Sequence, residues 1–158
     1  MTTQGESFRC ISLVVLCGLR LVGQSATPSP CSTVYENHNQ TDYGPLKLHR
    51  VKGASVIQVG TQKQPGVSGA CFILFTEKNH KLLETANAGA DGRFELKNIP
   101  LGRYRLVARA EGFCTANIPL EVTNSHRHRE TEILVHFQPV GIDTCSYGEA
   151  VPMSHRGN

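Results

Sequence analysis

Two groups of residues have the types and spacing to do chemistry. The first is His126-Arg127-His128-Arg129, with His136 following. In an extended chain His126 and His128 point to one side, where imidazoles can hold zinc or copper. Arg127 and Arg129 oppose that with like charge, and no third ligand is assured. A solvated loop is the favoured reading, with no metal and no cofactor expected. The second group is Arg93, Lys97, Arg103, Arg105 and Arg109. If adjacent strands gather it on one sheet face, it forms a basic surface able to meet acidic glycans or other anionic partners, an expected interaction surface. Glu95 and Glu111 dilute that surface, so a solvated sheet face is the competing reading.

Catalytic arrangements are not recognisable. The nucleophile-elbow pattern Gly-x-Ser-x-Gly does not occur, and no His, Ser and Asp stand in a known order. Tyr104 follows Gly102 by two residues at a strand entrance. Its phenol is expected to bond nearby backbone, as in a tyrosine corner.

The elements that must position these residues read as strands. In Gly89–Phe113 the dipeptide Asp91-Gly92 marks a tight turn, since Gly accepts positive φ without steric cost. Phe94 and Leu96 then alternate with Arg93, Glu95 and Lys97. Asn98 to Gly102 reverses the chain, and Tyr104, Leu106, Ala108 and Ala110 alternate with Arg103, Arg105, Val107 and Arg109. Period 2 on both sides of a turn predicts half-buried antiparallel strands. Upstream, Leu46 to Val51 and Ala54 to Val59 read as strands separated by a Lys52-Gly53 turn, and Gly60 to Gly66 reads as a loop. Gly69 to Thr76 is apolar on both faces, which suits a central strand covered on either side. Lys81 to Asn87, Ala116 to Val122 and Thr131 to Phe137 complete the set. Pro119 cannot donate to a ladder, so its strand belongs at an edge or has its open side there.

An Asp-Gly-x-Phe turn, a strand, a Pro-x-Gly-x-Tyr turn, a second strand and a closing Gly112-Phe113 resemble the carboxypeptidase regulatory-like domain. Ser68-Gly69-Ala70 and the run Cys71 to Phe75 resemble its upstream strand, and the match covers roughly residues 54 to 122. The resemblance implies an all-β, antiparallel β-sandwich of seven or eight strands, transthyretin-like. In it Asp91, Gly92, Phe94, Gly102 and Tyr104 are structural. It says little about activity, because this fold hosts stalks, sugar binders and adhesins. The hydroxyisourate hydrolases of the fold end in Tyr-Arg-Gly-Ser. Only Arg156-Gly157 is shared here, so that assignment is rejected.

At 158 residues the chain has room for one domain with flanking pieces. Ile11 to Leu19 is an apolar run too short to span a bilayer. With Arg9 before it and Gly23-Gln24-Ser25-Ala26 after it, the layout is that of a signal peptide. The expected organisation is a signal over 1–25, an exposed lead-in over 26–44, the sandwich domain over 45–140 and a tail over 141–158. The remaining chain holds 14 basic against 12 acidic side chains, too small an excess for a nucleic-acid partner. It has no second run long enough for a transmembrane helix.

Four cysteines stay after the signal, Cys31, Cys71, Cys114 and Cys145, an even number suited to an oxidising compartment. Three pairings are open. Cys31–Cys145 with Cys71–Cys114 is preferred, because it ties the flanks together and staples the sandwich. The chain is therefore expected to be secreted or periplasmic. It reads as a structural or interaction module without enzymatic activity, and its partner is an unidentified exported protein or glycan. A carbohydrate-binding module of starch-binding-like fold is the alternative, weakened by the lack of Trp and by only four Tyr. A small hydrolase of the same fold is the third reading.

Overall fold

A computed structural model describes Cys31 and residues 44–141 and 145–153. Among the described residues ten strands run in chain order: β1 Leu46–Leu48, β2 Val51–Val59, β3 Gln62–Pro65, β4 Cys71–Thr76, β5 Leu82–Asn87, β6 Arg93–Leu96, β7 Gly102–Arg109, β8 Ala116–Val122, β9 Thr131–Phe137 and β10 Tyr147–Pro152. They form two five-stranded sheets. Sheet I has the order β1-β8-β7-β4-β5. Sheet II has the order β10-β9-β2-β3, with β6 also paired to β2. Residues 51–54 of β2 pair with β6 and residues 56–59 pair with β3, so the two short strands divide one long one between them.

The architecture is a β-sandwich, with three corrections to the sequence reading. The sheets are mixed, because β1 pairs parallel to β8 and β2 parallel to β9. Lys52-Gly53 is no turn: β2 runs straight through it, and the bend falls at His49-Arg50. Gly53 lies in the sheet because β9 crosses too near for a side chain; a Cβ there would sit 1.9 Å from the Ile133 carbonyl oxygen. Third, the predicted loop and the predicted tail each supply a strand. Gln62–Pro65 returns along β2, and Tyr147–Pro152 pairs antiparallel with β9, so the sandwich extends to Pro152.

The core follows from alternation. Phe72 and Leu74 of β4, Tyr104, Leu106 and Ala108 of β7, and Ile118, Leu120 and Val122 of β8 meet Val51, Phe94, Leu96, Ile133, Val135 and Phe137 of sheet II. Phe72 stacks on Phe94 at 3.6 Å between ring centroids, joining the layers. The other face of β4 is also covered. Cys71, Ile73 and Phe75 form a second cluster with Val107, and Cys31 packs against it. That is why the Cys71–Phe75 run lacks polar alternation. Burying a side chain of the Leu, Ile or Phe class contributes about 1.5–3 kcal/mol, so a strand buried on both faces is the fold's firmest anchor. Pro119 stands one residue before the stretch of β8 that pairs with β1, so its missing donor falls outside that ladder.

Candidate functional site

The five predicted basic residues are divided between the two sheets. Arg93 and Lys97 belong to the β6 side of sheet II, and Arg103, Arg105 and Arg109 to β7 in sheet I. The stretch Asn98–Leu101 crosses from one layer to the other instead of closing a hairpin. The outward rows therefore face opposite sides of the sandwich, and one continuous basic face does not form. The local pattern was the same for a hairpin and for a crossing, which is why alternation alone joined them.

Two of these five cations form ion pairs with the protein's own acids. Arg93 donates to both Glu132 carboxylate oxygens, at 3.3 and 3.5 Å. Arg105 donates through Nε and Nη2 to Glu77 Oε1, at 3.1 and 2.9 Å. Arg103 is exposed and stands directly across from Glu121 on β8. Arg109 is buried, 9% exposed, opposite Cys71.

Lys97 has different surroundings. It lines an open cleft of about 410 Å³ with His49, Arg50, Val51, Glu95, Leu96, Asn98 and Ile99. The bend between β1 and β2 brings His49 and Arg50 to the cleft, and the end of β6, where Leu96 pairs with Val51, brings Lys97 beside them. His49 Nδ1 lies 3.3 Å from the Thr123 carbonyl oxygen, so that nitrogen donates and fixes the ring at the rim. Asn98 takes a left-handed φ of 56°, a conformation Asn tolerates, and this turns the chain out of β6 towards the other sheet. Three basic side chains thus bound a cleft that contains one acid, Glu95. Lys97 was singled out by the sequence pattern; His49 and Arg50 were missed as ordinary strand residues. Their signal was two consecutive polar residues interrupting the Leu46-x-Leu48 alternation, the mark of a bend.

A second polar constellation lies on the outer face of sheet II. His136, fully buried, is 2.8 Å from Glu149 Oε1 through Nε2 and stacks on Tyr147 at 4.5 Å. The Tyr147 hydroxyl donates to Gln58 Oε1 at 3.1 Å, and Lys63 stands 3.7 Å from Glu149. Nε2–H donates to the carboxylate, and Nδ1 is buried without a hydrogen-bond partner among the described residues. The arrangement fastens β10 to β9 and β2. It also uses Tyr147, one of the aromatics that a sugar platform would have needed exposed. Tyr35 and Tyr43 lie outside the described residues.

His126 to His128 forms a 3-10 turn after Ser125, so the extended geometry that would align two imidazoles is absent. No group of three or more His, Cys, Asp or Glu among the described residues is placed to hold a metal.

Tyr104 is buried, and its hydroxyl donates to the Pro100 carbonyl at 2.9 Å across the chain reversal. Desolvation holds this phenol above its ordinary value of 10.0. Asp91 Oδ1 accepts from the Arg93 amide at 3.1 Å, and Gly92 has φ 75°. Gly102 begins β7 under the Tyr104 ring, and Phe94 carries the inter-sheet stack.

The cysteines pair differently from the preferred scheme. Cys31 is joined to Cys71, with 5.3 Å between Cα atoms. Cys71 faces outwards from β4, on the side where Cys31 packs. Cys114 lies instead beyond the end of β7, where its backbone amide donates to the Gln138 carbonyl just past β9. Strand alternation therefore turns Cys71 away from Cys114, and both expected bridges, Cys31–Cys145 and Cys71–Cys114, are replaced.

No helix among the described residues is long and apolar enough to cross a membrane. No family model matches the chain, and neither does any curated protein.

Proposed function

We propose that the chain is an exported, non-catalytic interaction module of the transthyretin-like, carboxypeptidase regulatory-like kind. It holds an anionic glycan in the cleft between His49-Arg50 and Lys97. The observation that carries this reading is the charge distribution. Arg93 and Arg105 are engaged with Glu132 and Glu77, while Arg50 and Lys97, flanking the paired Val51 and Leu96 on adjacent strands, both line a cleft of about 410 Å³. Cations converging on a concave wall raise the local concentration of an anion by their summed field, and salt screens that attraction. The disulfide Cys31–Cys71 supports an oxidising destination, in keeping with the signal-like run at the N-terminus. The sandwich supplies rigid walls, and the cleft needs only sulfate or carboxylate groups on its ligand.

The test is retention on an immobilised sulfated polysaccharide under a salt gradient, comparing wild type, an Arg50→Ser/Lys97→Ser variant and an Arg103→Ser control. Wild type and the control should elute together, with the double variant clearly earlier. Elution of all three at one salt concentration would remove the cleft as the binding site. Binding to acidic exported proteins but not to the polysaccharide would reject the glycan.

A further inference from the structure

We propose that Cys114 and Cys145 join in a second disulfide that clamps the two sheets at one end of the sandwich. Both side chains are partly buried and stand outside the Cys31–Cys71 bridge. Gln138, just past β9, brings their segments together. Its carbonyl accepts from the Cys114 amide at 2.9 Å, and its own amide donates to Ser146 Oγ, also at 2.9 Å. Cys114 and the residue after Cys145 thus hold the two backbone polar groups of a single residue. Phe113 bridges Pro139 antiparallel, the Val140 amide donates to the Gly112 carbonyl at 3.1 Å, and Cys114 Sγ lies 3.9 Å from the Pro139 carbonyl oxygen.

A second contact fixes the course of both segments. Gly148 of β10 lies against Ile118 of β8, so near that a Cβ on it would be 2.4 Å from Ile118 Cδ1. From the shared anchor at Gln138 to this contact, β8 and β10 run side by side on facing sheets. Cys114 and Cys145 stand at the common start of that run. A bridge there encloses β8 and β9 and fastens β10, an outer strand of sheet II, to the chain that enters sheet I.

A small-molecule disulfide such as oxidised glutathione supplies the oxidising equivalents. One protein thiolate attacks it, forms a mixed disulfide and releases one thiol. The second protein thiolate then attacks the protein sulfur of the mixed disulfide and releases the other thiol. Two protein S–H bonds and one S–S bond are lost, one protein S–S bond forms, and both protons leave on the released thiols.

The experiment is peptide mapping without reduction, on protein refolded in a glutathione redox buffer and alkylated at once. It requires no export and is independent of the proposed ligand. A cross-linked peptide pair containing Cys114 and Cys145, lighter by two hydrogens than its reduced parts, is expected beside the Cys31–Cys71 pair. In a Cys114→Ser variant Cys145 should become fully alkylated while Cys31–Cys71 persists. Recovery of alkylated Cys114 and Cys145 from the refolded wild type overturns the proposal, and so does either Cys31–Cys145 or Cys71–Cys114. The wild-type map decides the question even if the variant fails to fold.

Discussion

Gly92 meets Gly66 backbone to backbone: a Cβ on Gly92 would lie 2.6 Å from the Gly66 Cα. Ser55 closes the junction from β2. Its amide donates to the Gly92 carbonyl at 2.9 Å, and its hydroxyl donates to the same oxygen at 3.2 Å while accepting from the Val67 amide at 3.1 Å. The turn into β6 is thereby seated on the long strand it must pair with. Gly92→Ala therefore meets two penalties at once, a left-handed φ and a clash with backbone. A loss of about 3 kcal/mol is expected in chemical denaturation. A loss below about 1 kcal/mol would mean that the turn moves freely.

The strands of this fold were legible where one face is apolar and the other polar. β6, β8 and β9 fell within their expected ranges on that signal, and β7 starts one residue early, at Gly102 of the expected reversal. β4 was legible as a strand covered on both sides, because five consecutive buried residues leave no solvent face. Other elements carried no such contrast. β3 reads Gln-Lys-Gln-Pro and is recruited only because β2 offers it an unfilled edge. β10 reads Tyr-Gly-Glu-Ala-Val-Pro, whose pattern hides the His136–Glu149 pairing that fastens it. Register and sheet membership are long-range facts. Nothing local to Asn98–Gly102 distinguishes a hairpin from a crossing between layers, so the basic row was read as continuous. The cleft was half visible, through Lys97, because His49 and Arg50 become neighbours of it only after β1 and β2 are placed in different sheets.

The Cys31–Cys71 bridge closes a loop with a sequence separation of 40. Loop-closure entropy places its contribution at about 4 kcal/mol, provided the reduced chain is fully released on unfolding. Cys31→Ser should lower stability by that order and leave the far-ultraviolet dichroism of the folded protein unchanged. Thermal melts with and without reductant check it. Coincident melts of wild type and variant in oxidising buffer would contradict it.

Tyr104 gives the protein an alkaline limit. Its phenol is held above the ordinary value of 10.0 by burial, so the folded chain keeps a proton that the unfolded chain releases first. Its contribution is complete below pH about 10 and is lost as pH rises from there through the folded value. Tyr104→Phe removes that loss. At neutral pH it also removes the hydrogen bond to Pro100, for a cost of about 1 kcal/mol. Stability followed from pH 8 to 11 should show a steeper fall for wild type than for the variant, and parallel curves would disprove the linkage.

On the outer face of sheet II, Glu149→Ala leaves the buried Nε2–H of His136 without its acceptor. A stability loss of about 1–3 kcal/mol is expected from an unsatisfied buried donor. Glu149→Gln retains an acceptor oxygen and should lose less. Equal losses in the two variants would show that the carboxylate charge, and not the hydrogen bond, holds β10 in place.

The two arginines at the start of β7 should separate cleanly. Arg103 is exposed, so Arg103→Ser falls within about 0.5 kcal/mol of wild type. The Arg105 side chain is 13% exposed and shares Glu77 Oε1 between two of its nitrogens. Its removal takes away packing of the aliphatic stem and a charge-assisted contact, and leaves Glu77 the weaker loser because that side chain is 37% exposed. Arg105→Ser should therefore cost about 1–2 kcal/mol. This corrects the equivalence that strand alternation assigns to the pair, since both occupy the outward row. Urea denaturation of each single variant measures the difference, and indistinguishable midpoints would show that the Arg105–Glu77 contact contributes nothing to the fold.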